Sequence, residues 1–266
     1  SNLTDWRKEL IEDLYQRSDG LITVCKFPIN DVSKRLGLVH HNSRVIPNAI
    51  DKKLFSQDKC KEQIKRFKIK YKLDEKSFVF LYAGRMDKSK GIYQIINAFN
   101  RLNKIRDNVI LLIVGKNLSK YDDDDLIRYL EKMVSNKKNL NIKLLEAVDI
   151  NTMPELYKIS QVSLMCSLKN EGCSKFILES LSSGLPTIVT KVGGNSEIIQ
   201  DGINGITIST KNIEVELFNA MQRLFDDKSL FIKLANQSRK SVDGKFDYDN
   251  LVKSYEDFIL DTWEKV

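Results

Sequence analysis

Two runs of six consecutive apolar residues constrain the fold of this chain more than any other feature. Phe78–Ala83 and Val109–Val114 contain no polar group except the Tyr82 hydroxyl, and a glycine follows each run. Strands that are apolar at every position have both faces buried, as in a parallel sheet covered by helices. Apolar residues at helical spacing lie between the two runs. The pattern predicts a strand–helix–strand unit inside a larger α/β protein.

Further strands and helices alternate along the chain. The other predicted strands cover residues 21–25, 44–48, 142–145, 162–166, 185–190 and 205–208. The predicted helices cover residues 3–17, 31–38, 59–72, 90–102, 125–134, 153–160, 194–200 and 247–263. This alternation predicts an α/β fold with a doubly wound, Rossmann-like parallel sheet. Gly84, Gly115 and Gly172 stand at predicted strand exits, where such sheets bind ligands.

Composition argues against several classes of protein. The 266 residues are 42% hydrophobic and 30% charged, enough for one large domain or for one domain and part of another. The longest apolar runs are far shorter than the roughly 20 residues that span a bilayer. The four cysteines form no Cys-x-x-Cys pair and only two histidines are present, so we expect free thiols in the cytoplasm and no metal site.

The charge balance raises the question of anionic partners. The chain has 43 basic and 36 acidic residues, and seven of the fourteen residues 59–72 are Lys or Arg, with apolar residues between them. Such a helix suits nucleic acid or a membrane surface, but also a solvated helix that packs its apolar side on the domain. The second interpretation is favoured, so we expect no nucleic acid partner and leave open a peripheral association with the inner face of the membrane. The acidic run 122–125 is interpreted as a helix cap and solvated loop.

Two glutamates eight positions apart are the strongest functional signal. Glu171 lies in a loop beside Gly172, and Glu179 lies in an apolar, helix-like segment. If that helix begins directly after Gly172, the glutamates are separated by about two turns, on the order of 12 Å. Amides at the helix start attract a phosphate. The stretch therefore predicts a ligand with a polar group at each end and a phosphate bridge, that is, a nucleotide sugar.

Two further clusters suit the same ligand. Arg85 follows the first strong strand and can bind a phosphate through two parallel hydrogen bonds, and Lys90 adds a point charge. The Gly193-Gly194 pair lets the backbone approach a ligand closely. Each cluster alone is weak evidence. Their order and spacing together predict one binding site.

With these motifs the chain resembles the C-terminal, nucleotide-sugar-binding domain of the retaining glycosyltransferases of group 1 (family 4), of GT-B fold. The resemblance covers roughly residues 10–263. The matching runs are residues 45–48, 82–85, 90–91, 113–115, 154–157, 184–186 and 193–194, with Glu171, Glu179 and Glu197. It implies a hexosyltransferase-type enzyme of polysaccharide or glycoconjugate synthesis that needs no cofactor and no metal beyond its nucleoside-diphosphate sugar.

The resemblance also implies a role for each site residue. Glu171 would be the catalytic residue, in contact with the transferred sugar, and Glu179 would bind the ribose hydroxyls. Arg85 and Lys90 would hold the diphosphate and stabilise the charge that develops on it. The remaining expected donor-binding residues are Gly84, Gly115, Val148, Gly172, Cys173 and Ser174. Cys173 replaces the aromatic residue that is usual in the family.

The resemblance implies three parts. Residues 1–46 would be a remnant of the N-terminal acceptor domain with its linker, residues 47–246 the nucleotide-sugar-binding domain, and residues 247–266 a C-terminal crossover helix. The largely missing N-terminal domain is then the expected partner, and this chain alone should bind the donor but transfer poorly. The alternative is a non-catalytic module that binds a nucleotide sugar or another subunit. An epimerase of the same fold is disfavoured by the glutamate pair.

Overall fold

The computed structural model describes residues 5–56, 60–115, 128–129 and 141–265 of the chain. The strands are β1 (Leu21–Thr23), β2 (Ser43–Val45), β3 (Phe78–Ala83), β4 (Val109–Val114), β5 (Ile142–Leu145), β6 (Val162–Met165), β7 (Thr187–Thr190) and β8 (Gly205–Ile208). The helices of the first half are α1 (Asp5–Arg17), α2 (Lys26–Leu36), α3 (Lys52–Phe55), α4 (Lys61–Lys70), a 3-10 turn (Lys88–Lys90) and α5 (Ile92–Asn103). Those of the second half are α6 (Met153–Ile159), α7 (Lys175–Ser182), α8 (Asn195–Ile198), α9 (Ile213–Asp226), α10 (Lys228–Lys240) and α11 (Tyr248–Trp263).

Six of the strands form one parallel sheet in the order β5-β4-β3-β6-β7-β8, and β1 and β2 form a separate parallel pair. The chain first proceeds from β3 to β4 and β5, and then returns to the other side of β3 with β6. The strand order therefore reverses between β3 and β6, where doubly wound sheets open a ligand crevice. The predicted α/β class and doubly wound parallel sheet are confirmed.

Strand β3 is buried on both faces of the sheet, which is why every one of its residues is apolar or aromatic. Phe80 and Tyr82 face one core, which α5, α9 and α10 cover. Val79, Leu81 and Ala83 face the other core, which α6 and α7 cover. None of these five side chains is more than 8% exposed. Alternate residues of this strand therefore pack into the two cores on opposite faces of the sheet. A polar residue at any of these positions would lie in apolar surroundings.

The separate β1–β2 sheet and α2 are attached to distant parts of the chain. Arg44 forms an ion pair of 2.8 Å with Asp261 of α11. The Glu197 carboxylate accepts hydrogen bonds from the backbone N–H groups of Lys26, at 3.0 Å, and Phe27, at 3.2 Å. These are the first two residues of α2, whose N-cap residue provides no side-chain cap. A side chain 170 positions away therefore satisfies the start of this helix.

Several predicted helix boundaries were wrong. Helix α7 begins at Lys175 and not directly after Gly172, because Cys173 and Ser174 remain in the loop, where Asn48 Nδ2 donates a 2.6 Å hydrogen bond to the Cys173 carbonyl. Helix α2 begins at Lys26, before the predicted start at residue 31.

Helices α9 and α10 were not predicted. The apolar residues of α9 at positions 213, 217, 220, 221 and 224 have helical spacing, so the signal was present in the sequence. The predicted helix 125–134 and the acidic run 122–125 lie outside the described residues, apart from two helical residues at 128 and 129.

The basic helix α4 packs on the domain through its apolar side. Ile64, Phe67 and the following Tyr71 contact the core cluster beneath it. Lys68 is itself buried, and its Nζ donates to the carbonyls of Glu75, at 2.8 Å, and Ser77, at 2.9 Å. Burial lowers the pKa of this ammonium group. Of the helices in the described ranges, none has the length and apolar character needed to cross a membrane.

Candidate functional site

A pair of opposite charges lies where the strand order reverses, between β3 and β6. Lys90 follows β3 at the end of the 3-10 turn, and Glu171 follows β6. Lys90 Nζ and Glu171 Oε1 form an ion pair, although 81 positions separate the residues. The side chains are only 16% and 14% exposed. The two residues that the sequence assigned to one ligand therefore meet at the point where the strand order reverses.

Glu171 is held by both its side chain and its backbone. Ser167 Oγ donates to the same Oε1 that Lys90 contacts. The Ser167 carbonyl in turn accepts from Thr190 Oγ1 at 2.7 Å, and the Glu171 carbonyl accepts from the Gly194 N–H, also at 2.7 Å. Sequence reasoning missed Ser167, whose only signal is its position directly after the predicted strand 162–166. The carboxylate is fixed in place rather than free on a surface loop.

The Gly193-Gly194 loop packs against the Glu171 loop. Gly193 has φ +52°, and a Cβ added to it would lie 2.0 Å from the Glu171 carbonyl oxygen. A Cβ on Gly194 would lie 2.6 Å from the Gly172 carbonyl oxygen. Neither approach leaves room for a side chain, so the two glycines allow the loops after β6 and β7 to touch. The structure thus brings the Gly193-Gly194 pair into contact with the loop that carries Glu171.

Glu179 is buried on α7, with 9% of the residue exposed. Its Oε2 accepts a 2.7 Å hydrogen bond from the hydroxyl of Tyr157 on α6. Burial raises the pKa of the Glu179 carboxyl above its ordinary value. Burial and the nearby carboxylate also raise the pKa of Tyr157, which keeps the hydroxyl protonated as a donor. Tyr157 belongs to the matching run 154–157, but no role was predicted for it.

A cavity of about 370 Å³ opens at the ends of β3, β4 and β5. It is lined by Ala83, Gly84, Arg85, Val114, Gly115, Ala147, Val148 and Met153. Four predicted donor-binding residues therefore share one mostly apolar pocket. A Cβ on Gly115 would lie 1.9 Å from the Gly84 carbonyl oxygen, so glycine is required where these strand exits approach. Tyr82 Oη donates a 2.6 Å hydrogen bond to the Arg85 carbonyl, which fixes this exit.

The residues between the two glutamates contribute backbone rather than side chains. The Cys173 side chain is buried in the core beneath α7, and burial raises the pKa of its thiol to about 11. A protonated, buried thiol is a poor nucleophile at neutral pH. Ser174 is the N-cap residue of α7 and makes no side-chain cap. The amides of Gly172, Cys173 and Ser174 are thus the groups that this segment offers to an anion.

The arrangement suits the binding of an anion with polar groups at both ends. Two cations, Arg85 and Lys90, follow β3, and Glu171 and the amides before α7 follow β6, the neighbouring strand. Glu179 lies within α7 and contacts Tyr157 of α6. Fixed positive charges and amides stabilise charge that develops on a leaving phosphate. Within the ranges that the structure describes, no group of three or more His, Cys, Asp or Glu side chains is placed to hold a metal ion.

The known proteins to which this chain is similar include several glycosyltransferases. A family model described as glycosyl transferases group 1 matches residues 63–241. The UDP-Gal:alpha-D-GlcNAc-diphosphoundecaprenol alpha-1,3-galactosyltransferase of Escherichia coli is 32% identical over 219 residues, which cover 82% of this chain and 54% of that enzyme. The lipopolysaccharide 1,2-N-acetylglucosaminetransferase of Salmonella typhimurium is 24% identical over 226 residues, which cover 83% and 57%. The chain spans about half the length of these curated relatives.

A solved structure with the same fold is that of Anabaena HepE in complex with UDP and glucose. It matches with a TM-score of 0.85 at 18% identity, over 97% of this chain and 67% of that one. The likeness confirms that the six-stranded sheet is the C-terminal, Rossmann-like domain of a GT-B fold.

Proposed function

Because the chain belongs to the group 1 glycosyltransferases, we propose that the region where the strand order reverses, between β3 and β6, binds a nucleoside-diphosphate sugar. In the whole enzyme the sugar is then transferred to an acceptor with retention of its anomeric configuration. One observation carries the proposal: Lys90 and Glu171, from opposite sides of the reversal in strand order, form an ion pair at that point. Doubly wound sheets bind their ligands at this place.

The proposed ligand lies with its diphosphate at Arg85 and Lys90. Arg85 presents a planar fork of donors to phosphate oxygens, and its side chain is 60% exposed, so it is accessible. The amides of residues 172–174 approach from the other side. When the sugar–phosphate bond breaks, the negative charge left on the diphosphate is stabilised by these groups, without proton transfer to the leaving group.

The two ends of the ligand lie at the two glutamates. Glu171 accepts hydrogen bonds from hydroxyls of the transferred sugar, and Glu179 accepts them from the ribose. The base enters the pocket lined by Gly84, Gly115 and Val148, whose size and apolar lining support this placement. The Tyr157 hydroxyl donates a hydrogen bond to Glu179 and so orients its carboxylate for contact with the ribose.

The names of the relatives indicate which nucleotide sugar to test first as the donor. The E. coli relative uses UDP-Gal, and HepE was solved with UDP and glucose. These names favour a UDP-sugar as the first donor to test and support a role in polysaccharide or glycoconjugate synthesis. A peripheral association with the inner face of the membrane is part of the proposal. The basic surface of α4 suits anionic lipid there.

A division into three parts is proposed with this function. Residues 1–46 belong to an acceptor-side domain of the whole protein, residues 47–246 bind the donor, and residues 247–266 cross back between the two. The separate β1–β2 sheet and its contact with α11 support the division. The greater length of the relatives supports an acceptor-side partner domain.

Isothermal titration calorimetry with UDP-, GDP- and ADP-glucose tests the proposal directly. We expect saturable binding of at least one of them, and no comparable binding of free glucose or of the matching nucleoside. Absence of binding to all three nucleotide sugars would overturn the proposed function.

A further inference from the structure

The ion pair between Lys90 and Glu171 occupies the centre of the proposed donor site. The Lys90 backbone is fixed there by Gly91, whose φ of +70° and close approach to the Cys166 carbonyl exclude a side chain. Glu171 is fixed by Ser167 and by the Gly194 N–H. These contacts hold the two charged side chains close together, and both side chains are mostly shielded from solvent. Partial burial keeps salt from screening the attraction.

The same ammonium group is proposed to bind the diphosphate. Without a ligand, the Glu171 carboxylate already neutralises it. A bare nucleoside diphosphate must therefore compete with Glu171 for Lys90, and its terminal phosphate brings a further negative charge towards that carboxylate. Like charges at short range in a partly buried site repel strongly.

A sugar on the terminal phosphate weakens both the repulsion from Glu171 and the competition for Lys90. Esterification removes one ionisable oxygen of the phosphate and so lowers its negative charge. The sugar hydroxyls also donate hydrogen bonds to Glu171, which satisfies the carboxylate while Lys90 turns to the phosphates.

We propose that Glu171 sets the preference of this site for a sugar-bearing donor over the bare nucleoside diphosphate, by competing with the diphosphate for Lys90. This inference rests on the proposed function and adds a regulatory role to the same site. The carboxylate keeps the site weak for the product that transfer leaves behind. It thereby favours release of the product and binding of the next donor.

Glu171→Gln tests the competition, because it removes the charge and keeps the shape of the side chain. Calorimetry with UDP, GDP and ADP and with their glucose esters measures both affinities in each variant. We expect Glu171→Gln to bind the nucleoside diphosphate about tenfold more tightly than the wild type. The affinity for the glucose ester should not rise in step, so the preference for the ester falls.

Two controls separate competition from a general change of charge. Glu256→Gln removes one negative charge from an exposed position on α11 and should leave the nucleoside diphosphate affinity unchanged. In a Lys90→Met variant there is no ammonium group for which Glu171 and the diphosphate can compete. Adding Glu171→Gln to that variant should therefore not raise the affinity for the nucleoside diphosphate. This double-mutant cycle isolates the coupling between the two side chains.

The outcomes distinguish this inference from the function on which it rests. If the wild type binds a nucleoside diphosphate and Glu171→Gln binds it no more tightly, competition is refuted and the proposed function stands. Competition is equally refuted if the gain persists in the Lys90→Met background. If only Glu171→Gln binds, competition is supported in its strongest form. If neither protein binds any nucleotide or its glucose ester, both proposals fail.

Discussion

Arg85 and Lys90 are both cations at the proposed diphosphate site, but their environments differ. The Arg85 side chain is 60% exposed and lies 3.8 Å from the Asp87 carboxylate, whereas that of Lys90 is 16% exposed and pairs with Glu171. Arg85 therefore reaches an incoming anion without first breaking a buried ion pair. We interpret it as the first cation that the diphosphate meets.

Arg85→Ala should weaken binding of a nucleoside diphosphate about tenfold, because hydrogen bonds to a charged group are lost. Binding of the corresponding nucleoside should not change, since it lacks the phosphates. Calorimetry with both ligands measures the difference. Arg66→Ala, which removes an exposed cation from α4, is the matched control. Equal diphosphate affinities in Arg85→Ala and the wild type would remove Arg85 from the site.

Glu179 should show a trade-off between stability and binding. Burial raises the pKa of its carboxyl in the folded state. The folded protein therefore holds this proton more readily than the unfolded chain, and the ionised carboxylate destabilises the fold at neutral pH. This cost disappears as the pH falls through the raised pKa towards the value of an exposed glutamate, about 4.3.

Glu179→Gln keeps an oxygen to accept from Tyr157 and removes the buried charge. We expect a higher Tm than the wild type at pH 7.5, a difference that vanishes near pH 4, and about tenfold weaker nucleotide binding. Thermal unfolding across this pH range and calorimetry at pH 7.5 provide the measurements. Glu264→Gln, at an exposed position, controls for net charge. A lower Tm for Glu179→Gln at neutral pH contradicts the argument.

Among the secondary-structure elements, the loops after β6 and β7 depend on each other. Gly193 and Gly202 both have positive φ, +52° and +70°, so alanine is strained at either position. Only at Gly193 would the added Cβ meet another segment, the backbone of Glu171, while at Gly202 nothing lies within 4 Å. The two glycines therefore separate conformational strain from loop packing.

Gly202→Ala should lose about 1 kcal/mol of stability and keep its affinity for the nucleotide sugar. Gly193→Ala should lose roughly 1–3 kcal/mol more and bind the nucleotide sugar less tightly, because the Glu171 loop must shift. Urea unfolding and calorimetry on the two variants make the comparison. Equal losses of stability and unchanged binding in both variants would show that the contact between the loops has no part in the site.

For the whole molecule, ligand binding should stabilise the fold, since the site joins the ends of strands from both halves of the sheet. A nucleoside diphosphate sugar at about 100 times its Kd contributes roughly 2.7 kcal/mol, which corresponds to a rise in Tm of about 5–10 °C. The matching nucleoside at the same concentration should shift Tm far less. Thermal denaturation at several ligand concentrations measures the effect. A Tm independent of ligand concentration would contradict it.

The sequence by itself determined the strands of the large sheet. Apolar runs such as Phe78–Ala83 and the glycines that end them encode buried parallel strands, because burial on both faces is a local requirement. Arg85, Lys90 and Glu171 follow predicted strands, and with Glu179 they predict a nucleotide-sugar site, which stays a prediction. The GT-B domain was implied by the resemblance to a family, and the likeness to a solved structure confirmed it.

Only the tertiary structure decided which of these groups meet. The strand order, with β6 returning beside β3, brings Lys90 to Glu171 across 81 positions. Packing of α6 on α7 brings Tyr157 to Glu179, and Glu197 of α8 caps the start of α2. Asn48, 125 positions before Cys173, also holds the loop that precedes α7 through a hydrogen bond to the Cys173 carbonyl. Such contacts depend on the global path of the chain, which local periodicity does not encode.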